Sequence, residues 1–400
     1  MLILKIIFWI SVFIVIYSYL LYGAILWFIL TIKRLFFHTP KIAFAKFQPP
    51  VTLLVASYNE SSVIRQKIEN SLQLNYPKDK LHFLFVTDGS TDNSNEIIKQ
   101  YPQIQLLYQP ERRGKVAAIN RAIQFVQTDF IIFCDANTAL NADCIMEIMN
   151  HYQDPRVGAV AGEKVIRDSG NEGSVSVAGE GLYWKYESLL KKLDSDFYSV
   201  VGAAGELFSI RKTLFDPVPE NVLLDDFIIS LRIAQKGFRV AYEPKAFAVE
   251  SGSLNMKEEQ KRKIRIGAGG FQSIVILGSL LNILKYPKLS FQYISHRVLR
   301  WAVCPFLLPV IFFLNWFIYW KSGSVYYGII FYLQCIFYLA AFAGYLQALK
   351  NKKSRLFYIP YYFSFMNLSL YIGLNRYLKK NQTVLWEKAI RKTENSETIS

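Results

Sequence analysis

Between Ile6 and Ile32 the chain carries no charged residue, and Lys5 and Lys33-Arg34 bound that run. As a helix it is long enough to cross a hydrocarbon core of roughly 30 Å with some tilt. A signal peptide would instead show an apolar region of roughly 7–15 residues and a small-residue cleavage site. Neither fits, so an uncleaved span over 1–34 is expected. Two further apolar runs come late, at 301–320 and 325–349. A weaker one at 356–374 is interrupted by Ser364, Asn367 and Ser369.

The flanking cations orient these runs. Lys33 and Arg34 follow the first, Lys285, Lys288, Arg297 and Arg300 precede the second, and Lys350, Lys352, Lys353 and Arg355 follow the third. One cytosolic face accommodates all three clusters if the first run enters from outside and the later two form a hairpin. A cytosolic domain over 45–285 follows, with an interfacial segment near 255–290. Residues 298–378 form a transmembrane and interfacial region, and 379–400 a basic, partly disordered tail. If 356–374 also crossed, Arg376, Lys379 and Lys380 would fall outside, so an interfacial or re-entrant segment fits the rule better. The location expected is the cell (inner) membrane, multi-pass.

Hydrophobic residues make up 52% of the 400 residues and charged ones 19%, too apolar for a wholly soluble enzyme. The net charge of +15 could suggest nucleic acid. The cations, however, cluster at membrane boundaries, where anionic lipid attracts them. No nucleic-acid partner is expected. Cys134, Cys144, Cys304 and Cys335 form no CxxC pair and the four histidines have no ligand spacing, so a zinc site or disulfide framework is excluded.

Between the spans the pattern alternates. Residues 51–56 read as a strand ending in the polar 57–60, and Val63, Ile64, Ile68, Leu72 and Leu74 give a helical period closed by Pro77. Strands follow at 81–86, 104–108 and 130–134, with a helix over 114–126. Strands separated by short helices imply an α/β fold with a parallel sheet and right-handed crossovers. Ligands bind at the carboxyl ends of such strands, where 57–60, 88–92 and 135–137 fall.

Each candidate residue has a plain alternative. Asp88 can hydrogen-bond a base or ribose, or only shape a turn. Gly114-Lys115 opens a helix and suits phosphate, or is a solvated basic turn. Asp135 with Asn137 two residues on can hold Mg2+ or Mn2+ against a diphosphate. Asp225-Asp226 opens a helix and can cap it, or one of the pair can act as general base. Lys261, Arg262, Lys263 and Arg265 precede Gly267-Ala268-Gly269-Gly270 and can face lipid phosphates or close over a leaving diphosphate.

In order and spacing, VASYNE, VTDGSTDNS, RRGKVAAIN, FCDANT, GAAGELFSIRK and LLDDFIISLRIAQKGFRVAYEP resemble the membrane-bound family 2 glycosyltransferases, which include cellulose, hyaluronan and poly-N-acetylglucosamine synthases. The resemblance covers roughly 48–275. It implies a GT-A (Rossmann-like) nucleotide-sugar transferase domain between N- and C-terminal transmembrane helices, and inversion at the anomeric carbon. It implies that Tyr58, Glu60 and Asp88 hold the nucleotide and that Lys115 lies near the phosphates with Arg265. By the same resemblance Asp135 binds Mg2+ or Mn2+, Gly205 sits near the acceptor, and Asp226 beside Asp225 is the base. Two positions depart from the family: its Asp-x-Asp reads Asp-Ala-Asn, leaving Asn137 a neutral metal ligand, and its Gln-x-x-Arg-Trp keeps Arg265 but has Ile266 in place of Trp. The sequence 366–392 looks like the ends of poly-N-acetylglucosamine-synthase-like enzymes.

The expected reaction is transfer from a UDP-sugar donor to a growing polysaccharide or a lipid-linked acceptor, beside membrane lipids and other polysaccharide-export proteins. Two alternatives accompany it: a non-processive transferase adding one or few sugars, and a nucleotide-sugar-binding scaffold without catalysis.

Overall fold

A computed structural model describes residues 1–36, 47–167, 175–252, 256–350 and 355–380. Contacts divide the chain into two compact units. The apolar helices and 256–380 belong to one, and the sheet, with 47–167 and 184–252, to the other.

The sheet has eight strands: β1 Val51–Ser57, β2 Leu81–Asp88, β3 Ile104–Gln109, β4 Phe130–Asp135, β5 Ala139–Leu140, β6 Val157–Arg167, β7 Leu207–Arg211 and β8 Arg239–Ser251. Their order is β3-β2-β1-β4-β7-β6-β8-β5. The first four are parallel, as the alternation of strand and helix predicts. Beyond β4 the sheet becomes mixed. β7 runs antiparallel to both β4 and β6, β6 and β8 are parallel, and β5 closes the edge antiparallel to β8. A parallel sheet is therefore correct for residues 51–135 and incomplete beyond them. The strands after 150 are built on small residues, Gly158, Ala159, Ala161 and Gly162, and Gly158 and Gly162 leave no room for a Cβ against Ile233, Phe238 and Leu207.

β1 is buried along its whole length, as befits a central strand covered on both faces. Its core partners Leu53, Val55, Ile64, Ile68, Phe85 and Ile132 are fully buried and form one cluster with the helix Cys144–His151. In register Ser57 pairs with Thr87, and Ala56 with Asp135. The polar ends of β1, β2 and β4 are thus level at one edge.

In the other unit, among the described residues, three helical segments are long and apolar enough to cross a membrane: Leu2–Phe36, Pro287–Ser322 and Val325–Leu349. The second starts well before the run at 301–320. Hydropathy cuts the segment at its polar stretch, yet the chain continues as a π-helix over Ile294–Val303 in which His296, Arg297 and Arg300 are buried. Phe8 packs edge-on to Tyr327 with Ile311 and Ile318 around them, and Trp9 Nε1 donates to the Tyr327 hydroxyl at 3.1 Å. Residues 355–378 form a continuous helix, Arg355–Leu378, with Asn367 and Ser369 buried. Most of the C-terminal tail expected from 379 on lies outside the described residues.

Candidate active site

The site is organised around the turn Arg112–Lys115, which follows β3 and begins the helix Lys115–Ile123. Gly114 has φ +98°, a backbone that L side chains rarely adopt. Asp88, at the end of β2 and 2% exposed, fixes this turn. Its Oδ1 accepts from the Arg113 amide at 2.9 Å and its Oδ2 from the Gly114 amide at 2.7 Å. Gly89 (φ +67°) closes the arrangement, since a Cβ there would lie 2.9 Å from the Arg112 amide nitrogen. Asp88 thus shapes the loop that presents Lys115, a role that its position in the sequence does not reveal. Tyr58, after β1, lies under the Arg112 guanidinium, 3.7 Å from the ring centroid. Glu60 is held through its backbone amide, which donates to Ser94 Oγ at 3.0 Å. Between them Asn59 adopts φ +52° and its Oδ1 accepts the Thr91 amide at 2.8 Å, so the ends of β1 and β2 are tied together.

Lys115 Nζ donates to Asp135 Oδ1 at 2.7 Å, both side chains being about one-fifth exposed (18% and 21%). On the other side of Lys115 stand Gly205 and Asp226. A Cβ at Gly205 would lie 3.3 Å from Asp226 Oδ2 and 3.5 Å from Lys115 Nζ. Asp226 sits in the first turn of the helix Asp225–Gln235, and the segment leading into that helix docks on the helix Lys115–Ile123. Asn120 Nδ2 donates to the Val218 carbonyl at 2.7 Å, and Arg113 Nη2 donates to both carboxylate oxygens of Glu220, at 2.7 and 3.0 Å.

The charges follow from this packing. Burial pushes the Asp226 carboxyl up to about 7, the neighbouring Asp225 adds to the rise, and Lys115 opposes it. For Lys115 burial works against the charged form, but the carboxylates of Asp135, Asp225 and Asp226 outweigh it and hold the ammonium above its ordinary value. Asp225 is 7% exposed, and its Oδ2 has no hydrogen-bond partner among the described residues. A carboxylate used only as a cap would spend its oxygens on backbone amides.

The structure therefore brings Tyr58, Asp88, Lys115, Asp135, Gly205, Asp225 and Asp226 around one loop. Arg265 is exposed on the helix Met256–Ile276, in the other unit. A polar hollow of about 310 Å³ beside β3, lined by Ser90, Asn95 and Tyr108 among others, involves none of these residues. Sequence reading missed Lys164, Glu206 and Glu250. Lys164 on β6 is buried and bonds Glu206 Oε1 at 2.6 Å, and it also pairs with Glu250 on β8. Only the GAAGELF motif, which contains Glu206, hinted at that cluster.

Among the described residues no group of three His, Cys, Asp or Glu is arranged to hold a metal ion. The donors present are hard oxygens: Asp135, and Asn137, whose Nδ2 is committed to Glu250 Oε1 at 3.0 Å so that its carbonyl oxygen is the atom able to coordinate. Lys115 faces three carboxylates, Asp135, Asp225 and Asp226, with one positive charge. That surplus of negative charge suits a divalent cation accompanying a diphosphate.

Residues 52–218 match the family described as Glycosyl transferase family 2. The chain carries a family 2 glycosyltransferase domain. The poly-beta-1,6-N-acetyl-D-glucosamine synthase of Staphylococcus aureus (strain COL) is 27% identical to this chain over 245 residues, 59% of this chain and 57% of that protein. The protein of the same name from Staphylococcus epidermidis is 24% identical over 250 residues, 60% and 58% of the two chains. The match thus spans less than two thirds of the length of either relative. The solved mannosyltransferase PcManGT from Pyrobaculum calidifontis, in complex with GDP-Man and Mn2+, superposes with a TM-score of 0.71 over 95% of this chain and 100% of its own. At 21% identity that likeness is one of fold, and the fold is GT-A-like.

Proposed function

We propose that this glycosyltransferase moves a sugar, with inversion, from a UDP-sugar to a growing polysaccharide at the cytosolic face of the cell membrane. The carrying observation is Asp226, a carboxyl raised to about 7 that stands against Gly205 and Lys115. A base that titrates near the working pH combines a useful ionised fraction with real driving force for proton removal. Asp226 accepts the proton of the acceptor hydroxyl as that oxygen attacks the anomeric carbon. Gly205 leaves open the space in front of the base for the acceptor sugar.

Lys115, held by Asp135, lies where negative charge grows on the departing diphosphate, and a preorganised ammonium stabilises it without reorganisation. Tyr58 and Arg112 form the edge on which the nucleotide rests, with Glu60 beside it, and Asp88 keeps the Arg113–Lys115 backbone aimed at the phosphates. Asp135 and Asn137 would hold Mg2+ or Mn2+, whose chemistry there is to neutralise the diphosphate.

N-acetylglucosamine is the first sugar to test, because two relatives are named for its polymer. The experiment incubates the purified full chain in lipid nanodiscs with radiolabelled UDP-N-acetylglucosamine, UDP-glucose or GDP-mannose and sizes the products. A ladder of long chains from a UDP-sugar supports the reading. Transfer from GDP-mannose alone overturns the donor, and one discrete glycolipid overturns the polymer. Ile266, where the family's motif has Trp, favours the short-product outcome as the second reading.

A further inference from the structure

Residues of β6, of β8 and of the loop before β7 meet where β7 ceases to pair with β6. The register of β6 and β7 ends at Ala161 opposite Phe208, so Lys164 on β6 and Glu206, just before β7, lie beyond the paired stretch. On the other side of β6 the register with β8 jumps. Gly162 pairs with Glu243 but Glu163 with Phe247, leaving Pro244, Lys245 and Ala246 as extra residues on β8. Irregularities of this kind re-aim the side chains beyond them and recur beside active sites. Here they bring Glu250 to the same ammonium. The Lys164 side chain is 1% exposed and those of Glu206 and Glu250 are each 13% exposed. Lys164 Nζ also stands 5.3 Å from the centre of the Trp184 ring.

The two glutamates lead to opposite sides of the reaction. Glu206 adjoins Gly205, the residue packed against Asp226. Glu250 Oε1 accepts from Asn137, two residues after Asp135. A lysine buried in the sheet is costly unless it is paired, and here two carboxylates on different elements pair it.

We propose that Lys164 is a positioning residue that ties the acceptor-side loop Gly205-Glu206 to the donor-side end of β4 through Glu250 and Asn137. It touches neither substrate. By holding Glu206 it keeps Gly205 against Asp226, and by holding Glu250 it fixes the Asn137 amide with its carbonyl oxygen available. This inference rests on the transferase reading above.

The test compares wild type with Lys164→Met, Lys164→Gln and Lys164→Arg in nanodiscs, reading melting temperature, kcat, and KM for UDP-N-acetylglucosamine across a Mn2+ titration. Lys164→Met and Lys164→Gln are expected to lower kcat at least tenfold and to raise the Mn2+ concentration needed for half-maximal rate. Their KM for the donor at saturating Mn2+ should stay within twofold. Lys164→Arg, which preserves the charge, should recover most of the kcat. A purely structural lysine would lower the melting temperature while leaving the kcat of the folded fraction and the Mn2+ requirement unchanged, and that result overturns the assignment. Should Lys164→Met not fold, Lys164→Arg combined with Glu250→Gln must still shift the Mn2+ requirement, and an unchanged requirement counts against the proposal. If wild type itself transfers no sugar while binding nucleotide normally, the transferase reading fails first.

Discussion

Gly205 and Gly202 lie three residues apart, and alanine at each should fail in a different way. At Gly205 a new Cβ would stand 3.3 Å from Asp226 Oδ2 and 3.5 Å from Lys115 Nζ, both termini of side chains. The clash is a few tenths of an ångström, and the backbone there needs no left-handed conformation. Replacing glycine by alanine at a compatible position stabilises by about 0.4–1 kcal/mol through the unfolded chain, so Gly205→Ala should melt at or slightly above wild type. Its rate should nevertheless fall. The methyl group displaces the base, and it occupies the space assigned to the acceptor oxygen. Misplacement by about 1 Å costs roughly 10²-fold, so a shift of a few tenths, with part of the space filled, predicts a loss of about 10-fold or more in kcat. Gly202 has φ +87°, and a Cβ would meet the Phe227 ring at 2.0 Å. Gly202→Ala should therefore destabilise by several kcal/mol, beyond the usual range of about 0.5–3 for point changes. The assay is transfer rate per folded molecule together with thermal melting in nanodiscs. A Gly205→Ala enzyme with wild-type kcat, or one that unfolds as Gly202→Ala does, would refute the placement of the acceptor beside Asp226.

Asp226→Asn should keep donor binding and melting temperature while losing roughly 10²–10⁴-fold in kcat, the usual contribution of a general base, as measured by single-turnover transfer. Because burial raises Asp226 to about 7, the group is protonated and inactive as a base below that pH. The rate in wild type should accordingly rise through about pH 7 and level off above it; a profile flat from pH 5.5 to 8 would remove Asp226 from the base role. Asp135→Ala should weaken Mn2+-dependent binding of UDP-sugar and leave Lys115 without its partner at 2.7 Å, which calorimetry with and without Mn2+ can read. Arg113→Ala breaks an exposed pair with Glu220, and such pairs are worth about 0–1 kcal/mol, so melting should barely change.

Much of this site was legible because the first half of the sheet follows local rules. β1, β2 and β4 are short apolar runs that each end on a polar motif, and a parallel α/β arrangement levels such ends without help from distant residues. Asp225 and Asp226 were legible as a helix start for the same reason. The rest depends on pairing across long stretches of chain. β6 is rich in Ala and Gly, β7 is only five residues long, so both give little strand signal, and β8 carries Glu243, Lys245 and Glu250. Lys164, Glu206 and Glu250 are three isolated charges until that pairing assembles them. The hold of Asp88 on the Arg113–Lys115 turn could not be read from the sequence, since its two partners are amides that arrive 25 and 26 residues later. The early start of the second span escaped hydropathy because its cations are covered by protein rather than set in the apolar run.

The strand order also dictates a schedule. β1 to β4 already stand side by side once the chain has been made to Asp135, so that half can pair during synthesis. β6, which follows the two-residue β5 in the chain, has no place beside β4, because β7 must be inserted between them first. Until residue 211 has left the ribosome, the open edge of β4 is an unpaired row of amides and carbonyls. The acceptor loop at Gly205, which immediately precedes β7, and the base at Asp226 therefore come after the nucleotide edge, so a nascent chain can form that edge well before it can transfer anything.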